Sequence, residues 1–226
     1  MHRQSAPLVL LLITVIALAA CGGGGLRTEV RGSGTLTTQT RGVSGFDRIL
    51  VSGPGVVHVA ITGTESLEVQ AEDNILGALT IEVVDGRLEL GHEAHTNIVP
   101  TRDITYTITV AQLDGVSIGG SGELDVAALA TSAFSVSISG SGAVTPSGRT
   151  GELSVEISGS GRYLGADLAA DEAVVAVSGS GEAIVNATHS LTAAVSGSGS
   201  IRYLGDPVLD REISGSGFIA PFPATE

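Results

Sequence analysis

The sequence predicts an all-β protein, a parallel β-helix in which each coil takes about 18–20 residues. A Gly-Ser-Gly triplet returns at near-constant spacing through the second half of the chain. The triplets begin at Gly120, Gly140, Gly159, Gly179, Gly197 and Gly215. A period of this size is typical of stacked coils, in which each coil buries its apolar side against its neighbours. An extended coil of that length wraps a perimeter of about 60 Å at ~3.3 Å per residue, which suits two or three faces.

Apolar columns on either side of the triplets support the same fold. The residue before each four-residue block forms the column Ile118, Ile138, Ile157, Val177, Val195 and Ile213. Two residues earlier stand Val116, Val136, Val155, Val175, Ala193 and Arg211, of which only the last is charged. The second residue after the block gives Leu124, Val144, Tyr163, Ala183, Ile201 and Ile219. Such in-phase columns argue against the main rival fold, an antiparallel sandwich of recurring hairpins.

The Ser-Gly-Ser-Gly block itself has two interpretations. Unbroken alternation through the block would turn Gly140 and Gly142 inward and Ser139 and Ser141 outward. Alternatively, the block is a corner at which Gly adopts a positive φ. The sequence leaves both open, and both predict that a Gly to Val exchange is disruptive and a Ser to Thr exchange mild.

Outward serines form two columns, which are the predicted binding face. The first column is Ser139, Ser158, Ser178, Ser196 and Ser214, and the second is Ser141, Ser160, Ser180, Ser198 and Ser216. A flat lattice of hydroxyls can contact a surface polymer, a glycan or a protein. Small polar residues also suit a tight, hydrated corner that binds nothing, and the sequence favours this simpler interpretation. The absence of Trp further weakens lectin-like stacking on sugar rings.

The first half of the folded region also alternates at strand period, beginning at Phe46. Pro54 replaces the serine of the later triplets, and because Pro has no N–H to donate, it predicts an edge strand at or near one end of the stack. Asp85-Gly86 lies between two alternating segments and predicts a tight antiparallel hairpin.

The N-terminus predicts export and lipidation. An apolar run ends in Leu18-Ala19-Ala20-Cys21, so residues 1–20 form a predicted signal peptide. A cysteine directly after Leu-Ala-Ala resembles the lipobox of bacterial lipoproteins, which makes Cys21 the predicted lipidation site and the membrane the first predicted partner. Gly22 resembles an outer-membrane sorting signal, whereas the side of that membrane, periplasmic or surface, stays open.

The domain boundaries follow from composition. Residues 21–45 are rich in Gly, Thr and Ser and predict a flexible tether. Residues 46–226 are the predicted β-helical domain. Its tail, with Phe218 and Pro221, is predicted to cap the last coil.

Charge and composition exclude several functions. The net charge is −13 and the chain has no Lys, which excludes nucleic-acid binding and lysine-based phosphate or Schiff-base chemistry. His92 and His95 are three residues apart without a helical context, so a polar loop is favoured over a zinc site. The acidic cluster Asp167, Asp171 and Glu172 is interpreted as a solvated turn. No catalytic residue, metal or cofactor is predicted.

The residue pattern also argues against a calcium-binding repeat. Gly119 to Glu123 is similar to a calcium-roll repeat, but Leu124 stands where the ligand Asp is required.

Several of these features together resemble the head GIN domain family of bacterial exported proteins. They are the exported N-terminus, the opening Phe46-x-x-Ile49 strand, the serial Ser-Gly-Ser-Gly blocks and the closing Tyr203-Leu204-Gly205-Asp206-Pro207. The resemblance covers about residues 46–219, and the closing motif is its most specific part. It implies a right-handed β-helix related in shape to pectin lyases, serving as an adhesin head without established catalytic residues. The chain departs from the family pattern at Pro54 and Gly119, where Ser is usual.

The predicted function is therefore a non-catalytic, lipid-anchored structural or adhesive domain of the cell envelope. The alternative is a carbohydrate-binding or carbohydrate-active β-helix, which requires an acidic cleft formed by loops such as residues 89–103. The oligomeric state and the ligand stay open.

Overall fold

The computed structural model describes residues 28–223, which fold into β-strands without a helix. The predicted signal peptide and Cys21 lie outside the described residues. The strands of the first half are β1 (Thr28–Arg31), β2 (Leu36–Arg41), β3 (Arg48–Val51), β4 (Val56–Ile61), β5 (Ser66–Glu72), β6 (Leu79–Val84), β7 (Arg87–His92), β8 (Thr96–Val99) and β9 (Thr105–Val110). Those of the second half are β10 (Gly115–Ile118), β11 (Glu123–Ile138), β12 (Ala143–Gly159), β13 (Arg162–Gly179), β14 (Glu182–Gly197), β15 (Ser200–Leu204), β16 (Val208–Gly215) and β17 (Phe218–Pro221).

The second half is a parallel β-solenoid, as the repeat predicts. From β10 to β14, each strand pairs in parallel with the next strand along the chain. β14 then pairs in parallel with both β15 and β16, and β15 pairs with β17. The coils therefore stack in chain order at about 4.8 Å per coil.

Each coil has two long faces and a short third one between them. Face A consists of the residues that follow a Ser-Gly-Ser-Gly block, such as 162–165, and face B of those that lead into the next block, such as 172–177. The short face, such as residues 168–170, has its own ladder and buries Leu168 and Ala170. Between the faces the ladder shifts register, for example between Val126 and Leu129 in β11. Ala128 (φ 56°) and Gly148 (φ 123°) adopt positive φ at these bends, which turns the chain from face A onto the short face.

The predicted apolar columns form the core that these faces enclose. In the column that follows the blocks, Leu124, Val144, Tyr163, Ala183 and Ile201 are completely buried. Full burial of a Val, Leu or Ile side chain contributes about 1.5–3 kcal/mol, so columns of like residues stabilise every coil contact. Burial raises the pKa of the Tyr163 phenol, because the anion would lose its hydration.

The first half does not continue this simple stacking. β3 lies between β10 and β7, and β4 lies between β11 and β9, so the first coil is inside the stack. The prediction of an edge strand at Pro54 is therefore wrong, whereas its placement near one end of the stack agrees with the two strands, β7 and β6, that lie beyond β3. Pro54 occupies a bend between β3 and β4, where the ladder does not need its N–H.

Antiparallel strands complete this half. The predicted hairpin is present, since β6 and β7 are antiparallel and Asp85 (φ 49°) and Gly86 (φ 74°) form their turn. β5 pairs antiparallel with β9 on one side and with β2 on the other. The sequence did not predict these two pairings.

The described part of the predicted tether is ordered, so that part of the prediction is wrong. β1 pairs in parallel with β8, and β2 extends the sheet at β5. These strands show little apolar alternation because their residues are mostly exposed. Backbone pairing and the polar contacts of Glu72, described below, hold them in place.

The two ends of the stack differ. At the β6 and β2 end, the turn that follows β5 covers the core with Ile75 and Leu76, which are 0% and 2% exposed. At the other end, the tail joins face A as β17 instead of covering the last coil. Ile219 of β17 is buried, whereas Ile213 of β16 on face B is 43% exposed.

Candidate functional site

All ten serines of the predicted binding face are exposed. In the first serine column (Ser139, Ser158, Ser178, Ser196 and Ser214), Ser158, Ser178, Ser196 and Ser214 lie directly above one another in the ladders of β12, β13, β14 and β16. Successive serines are therefore about 4.8 Å apart along the stack.

Backbone hydrogen bonds between the corners of successive coils hold the second serine column (Ser141, Ser160, Ser180, Ser198 and Ser216) in place. The Ser160 N–H donates to the Gly140 carbonyl at 3.1 Å, and the Ser180 N–H donates to the Gly159 carbonyl at 2.9 Å. Ser141, Ser198 and Ser216 repeat this bond. The hydrogen-bond ladder thus continues round the corner, which makes the serine columns a rigid surface.

Both interpretations of the block describe part of this corner. The first glycine has a positive φ in the last three blocks, with 121° at Gly179 and Gly197 and 123° at Gly215. The second glycine is the inward position and is buried from Gly122 to Gly199. A Cβ on Gly181 would lie 2.6 Å from Cγ2 of Ile157 and 2.9 Å from the carbonyl oxygen of Gly161. The corner therefore needs glycine for both its turn and its close backbone approach.

The serine hydroxyls are almost all available to solvent. Among the described residues, only Ser139 of the ten donates its hydroxyl to a protein atom, the Ile118 carbonyl oxygen at 3.5 Å. The other nine hydroxyls can donate to, and accept from, a molecule lying along the corner.

Charged residues lie beside the serine columns on both faces. On the face A side, Arg202 donates to Glu182 at 2.8 Å, and its guanidinium lies 5.6 Å from the centre of the Phe218 ring. On the face B side, Glu156 and Glu212 occupy the adjacent outward column. The corner is therefore bordered by charges of both signs, without a basic patch that would attract a polyanion.

A cleft of about 410 Å³ lies at the first corner of the stack. Its lining includes residues 100–103, which belong to the loop region that the carbohydrate alternative requires. Its lining includes Arg102, Asp103 and Glu123 together with Ser121, which occupies the second-serine position of the first block. The loop of residues 100–104 forms one wall.

Glu72 holds that wall in place, a role that no sequence pattern indicated. Its side chain is completely buried and accepts hydrogen bonds from the Thr101 hydroxyl (2.5 Å), the Thr101 N–H (2.9 Å) and the Gly34 N–H (2.6 Å). These bonds, of which the Thr101 hydroxyl has the largest effect, lower the pKa of Glu72 below its ordinary value of 4.5. The carboxylate thus ties the N-terminal strands to the cleft loop.

The other residues considered from sequence form no site. His92 ends β7 and His95 lies in a turn with φ 63°. Asp167, Asp171 and Glu172 are exposed, and Leu124 belongs to the core. Within residues 28–223, no three His, Cys, Asp or Glu side chains are grouped as a metal site would require.

One motif escaped the sequence-based prediction. Residues 115–119 read Gly-Val-Ser-Ile-Gly, the spacing of a nucleophile elbow. The structure places Ser117 inside β10, paired with Leu50 and Ser137, and not at a strand-to-helix turn. The motif therefore lacks the strand-to-helix turn that exposes the serine of a nucleophile elbow.

No helix in the described range is long and apolar enough to cross a membrane.

The solved structures that resemble this chain show the fold. The structure of "a putative adhesin" from Bacteroides fragilis is 24% identical, with a TM-score of 0.71, and the match covers 85% of this chain and 100% of that one. The structure of a "putative lipid binding protein" from Parabacteroides distasonis is 23% identical, with a TM-score of 0.55 and coverage of 87% and 100%. The comparison with curated proteins gives no match.

Sequence comparison with family models identifies the group. Residues 45–207 match the family described as "Putative auto-transporter adhesin, head GIN domain". The match spans most of the stacked coils and includes the first five of the six corners and the closing Tyr203–Pro207 motif. The chain therefore belongs to the head GIN domain family, as its motifs predicted.

Proposed function

We propose that this chain is a non-catalytic, lipid-anchored domain of the bacterial cell envelope that contacts a surface polymer, a glycan or a protein through its serine columns. One observation carries the proposal: nine of the ten exposed serine hydroxyls are free of protein partners among the described residues, on a rigid corner in register. Membership of a family described as an adhesin head supports an adhesive role.

The serine columns provide the first test. The triple variant Ser160→Ala, Ser180→Ala and Ser198→Ala removes three hydroxyls from the second column. We expect it to reduce retention of the protein on immobilised glycans or extracellular-matrix proteins at least tenfold. The cost of leaving a ligand's polar groups unpaired gives this direction.

A matched control removes hydroxyls elsewhere on the same molecule. Ser135→Ala, Ser154→Ala and Thr192→Ala alter outward positions of face B away from the corner. This control should bind as the unmodified chain does. Equal binding by the control and the column variant would reject the serine columns as the contact surface.

The anchor is tested separately. Cys21→Ala removes the only cysteine, to which we assign the lipid. We expect this variant to leave the membrane fraction and to lose incorporation of a labelled fatty acid, because a chain without its acyl groups has only weak membrane affinity. Membrane retention of the variant would argue against lipidation. Surface proteolysis of intact cells then distinguishes exposure outside the cell from a periplasmic position.

The carbohydrate alternative would use the cleft as its site. Asp103 and Glu123 are both among its lining residues, next to Arg102. Incubation with plant and bacterial polysaccharides, with release of reducing or unsaturated ends as the readout, tests for turnover. Turnover that disappears in Asp103→Asn or Glu123→Gln would replace the non-catalytic proposal with an enzyme. Contact with lipid, which the name of the Parabacteroides neighbour suggests for that protein, is proposed for this chain only through Cys21.

A further inference from the structure

The last strand of face B, β16, is an open edge of the sheet. It pairs with β14, and no other described strand pairs with its outer side. Its inward residues are consequently uncovered, since Ile213 is 43% exposed whereas Val195, one coil earlier, is 2% exposed. An open edge with accessible apolar residues is a template for an additional strand.

Arg211 distinguishes this edge from every earlier coil. In the ladders it continues the inward column of Val136, Val155, Val175 and Ala193, which are all buried. Arg211 is exposed and takes part in none of the ion pairs among residues 28–223. A strand added to β16 would cover this guanidinium, and an uncompensated buried charge is strongly unfavourable.

The same charges disfavour a second copy of this chain as the added strand. Two β16 strands related by a twofold axis would pair antiparallel with their inward residues on the same side. Such a pair has two registers of greatest overlap. One places Arg211 opposite Arg211 of the second copy, and the other places Glu212 opposite Glu212 of the second copy. Like charges directly opposite each other destabilise a strand pair.

We propose that the β16 edge accepts an extended segment of another protein, parallel to β16, with an acidic residue at the level of Arg211. That residue would neutralise the guanidinium, and apolar residues two positions before and after it would cover Leu209 and Ile213. The parallel direction continues the ladder of β11 to β16. Pro221 in β17 offers no N–H, which confines the docking edge to face B. The proposal depends on neither the membrane anchor nor the serine columns.

Two synthetic peptides test this pairing. Both copy Ser190–Gly197 of β14, the segment that already pairs with β16, and carry either Ala193→Glu or Ala193→Arg. Their binding to the full chain in detergent is measured by fluorescence anisotropy. We expect the Glu peptide to bind at least tenfold more tightly. The net charge of −13 would attract the Arg peptide more strongly than the Glu peptide. A preference for the Glu peptide can therefore arise only from a local contact with Arg211.

Charge reversal on the protein makes the test specific. Arg211→Glu should reverse the preference so that the Arg peptide binds more tightly. Arg149→Glu, which makes the same charge change at an exposed position elsewhere, should leave the preference unchanged. Absence of binding, equal affinity for the two peptides, or a preference that Arg211→Glu does not reverse would each overturn the proposal.

Discussion

The carboxylate of Glu72 joins parts of the chain that are distant in sequence. It accepts hydrogen bonds from Gly34 in the N-terminal segment and from Thr101 in the cleft loop. All of these bonds favour the ionised carboxylate over the protonated acid, which accounts for its lowered pKa. A group whose pKa is lowered on folding adds stability above its unfolded pKa and loses that stability as the pH falls through its folded pKa.

Replacement of Glu72 should therefore change both stability and its pH dependence. Glu72→Gln places an amide NH₂ among N–H and O–H donors, so we expect a lower Tm at pH 7. The variant should also lose less further stability than the unmodified chain when the pH falls below about 4.5, because it has no carboxylate to protonate at this position. Thermal unfolding followed by circular dichroism between pH 3 and pH 7 measures both effects.

Glu68→Gln is the matched control, since Glu68 lies on the same strand but is exposed. It should keep the Tm and the pH profile of the unmodified chain. If both variants unfold alike at every pH, Glu72 does not have the role assigned to it.

Residue patterns predicted the core but not Glu72. The inward columns repeat in every coil, so residues at the same position of the repeat, such as Ile138 and Ile157, were predicted to stack in the core, and they pair in the structure. Glu72 belongs to no repeat and stands in a polar run that reads as a turn. Its burial results from the approach of residues 32–34 and 100–102, and local sequence contains no information about such contacts.

At the scale of elements, the corners determine how closely the coils stack. Gly181 has no space for a side chain, because a Cβ would lie 2.6 Å from Cγ2 of Ile157. Gly77 in the turn after β5 has no atom within 4 Å of the same hypothetical position. These two glycines therefore separate the effect of close packing from the general effect of replacing glycine.

We expect Gly181→Ala to destabilise the protein by about 1–3 kcal/mol through overpacking. Gly77→Ala and Ser180→Thr should each stay within about 0.5 kcal/mol of the unmodified chain, since neither position is confined. Urea unfolding gives these differences directly. A Gly181→Ala variant as stable as Gly77→Ala would show that the corner can relax around a methyl group.

Elements with strong local signals were predictable, and those without them were not. The Asp85-Gly86 turn supplies the two positive φ values of a tight hairpin, so β6 and β7 followed from sequence. β2 lacks such a signal because both of its faces are largely exposed and its residues need not alternate. Threonine and glycine around it suggest a tether equally well, and only pairing with β5 determines that it is a strand.

At the scale of the whole molecule, the stack has one closed end and one open end. The position of the first coil inside the stack was not predictable. β7 and β9 follow β3 and β4 much later in the chain, yet they pair with these strands on the side away from the later coils. Nothing in the linear order of the repeats indicates this return. The open end, in contrast, follows from the last repeat, in which Arg211 interrupts an apolar column.

Removal of the Arg211 charge should change the association of whole molecules. In Arg211→Val the inward column becomes apolar to its end, and the facing arginines no longer oppose pairing of two β16 edges. We expect this variant to form dimers or larger species in sedimentation velocity at concentrations where the unmodified chain does not. Arg149→Val serves as the control for loss of a positive charge. Identical sedimentation of all three proteins would contradict a role for Arg211 in preventing self-association.

The placement of β16 at the end of the stack away from β2 and β6 also affects how the molecule would bear a mechanical load. The hydrogen bonds between coils run from one strand to the next and therefore lie roughly along the stack. Tension between an anchor at the β6 and β2 end and a ligand on β16 would act along these hydrogen bonds and break them one coil at a time. Tension from a ligand spread along the serine columns would be shared by several coils at once. An attachment along the corner is therefore mechanically stronger than one at the tip, even when the two bind with the same affinity.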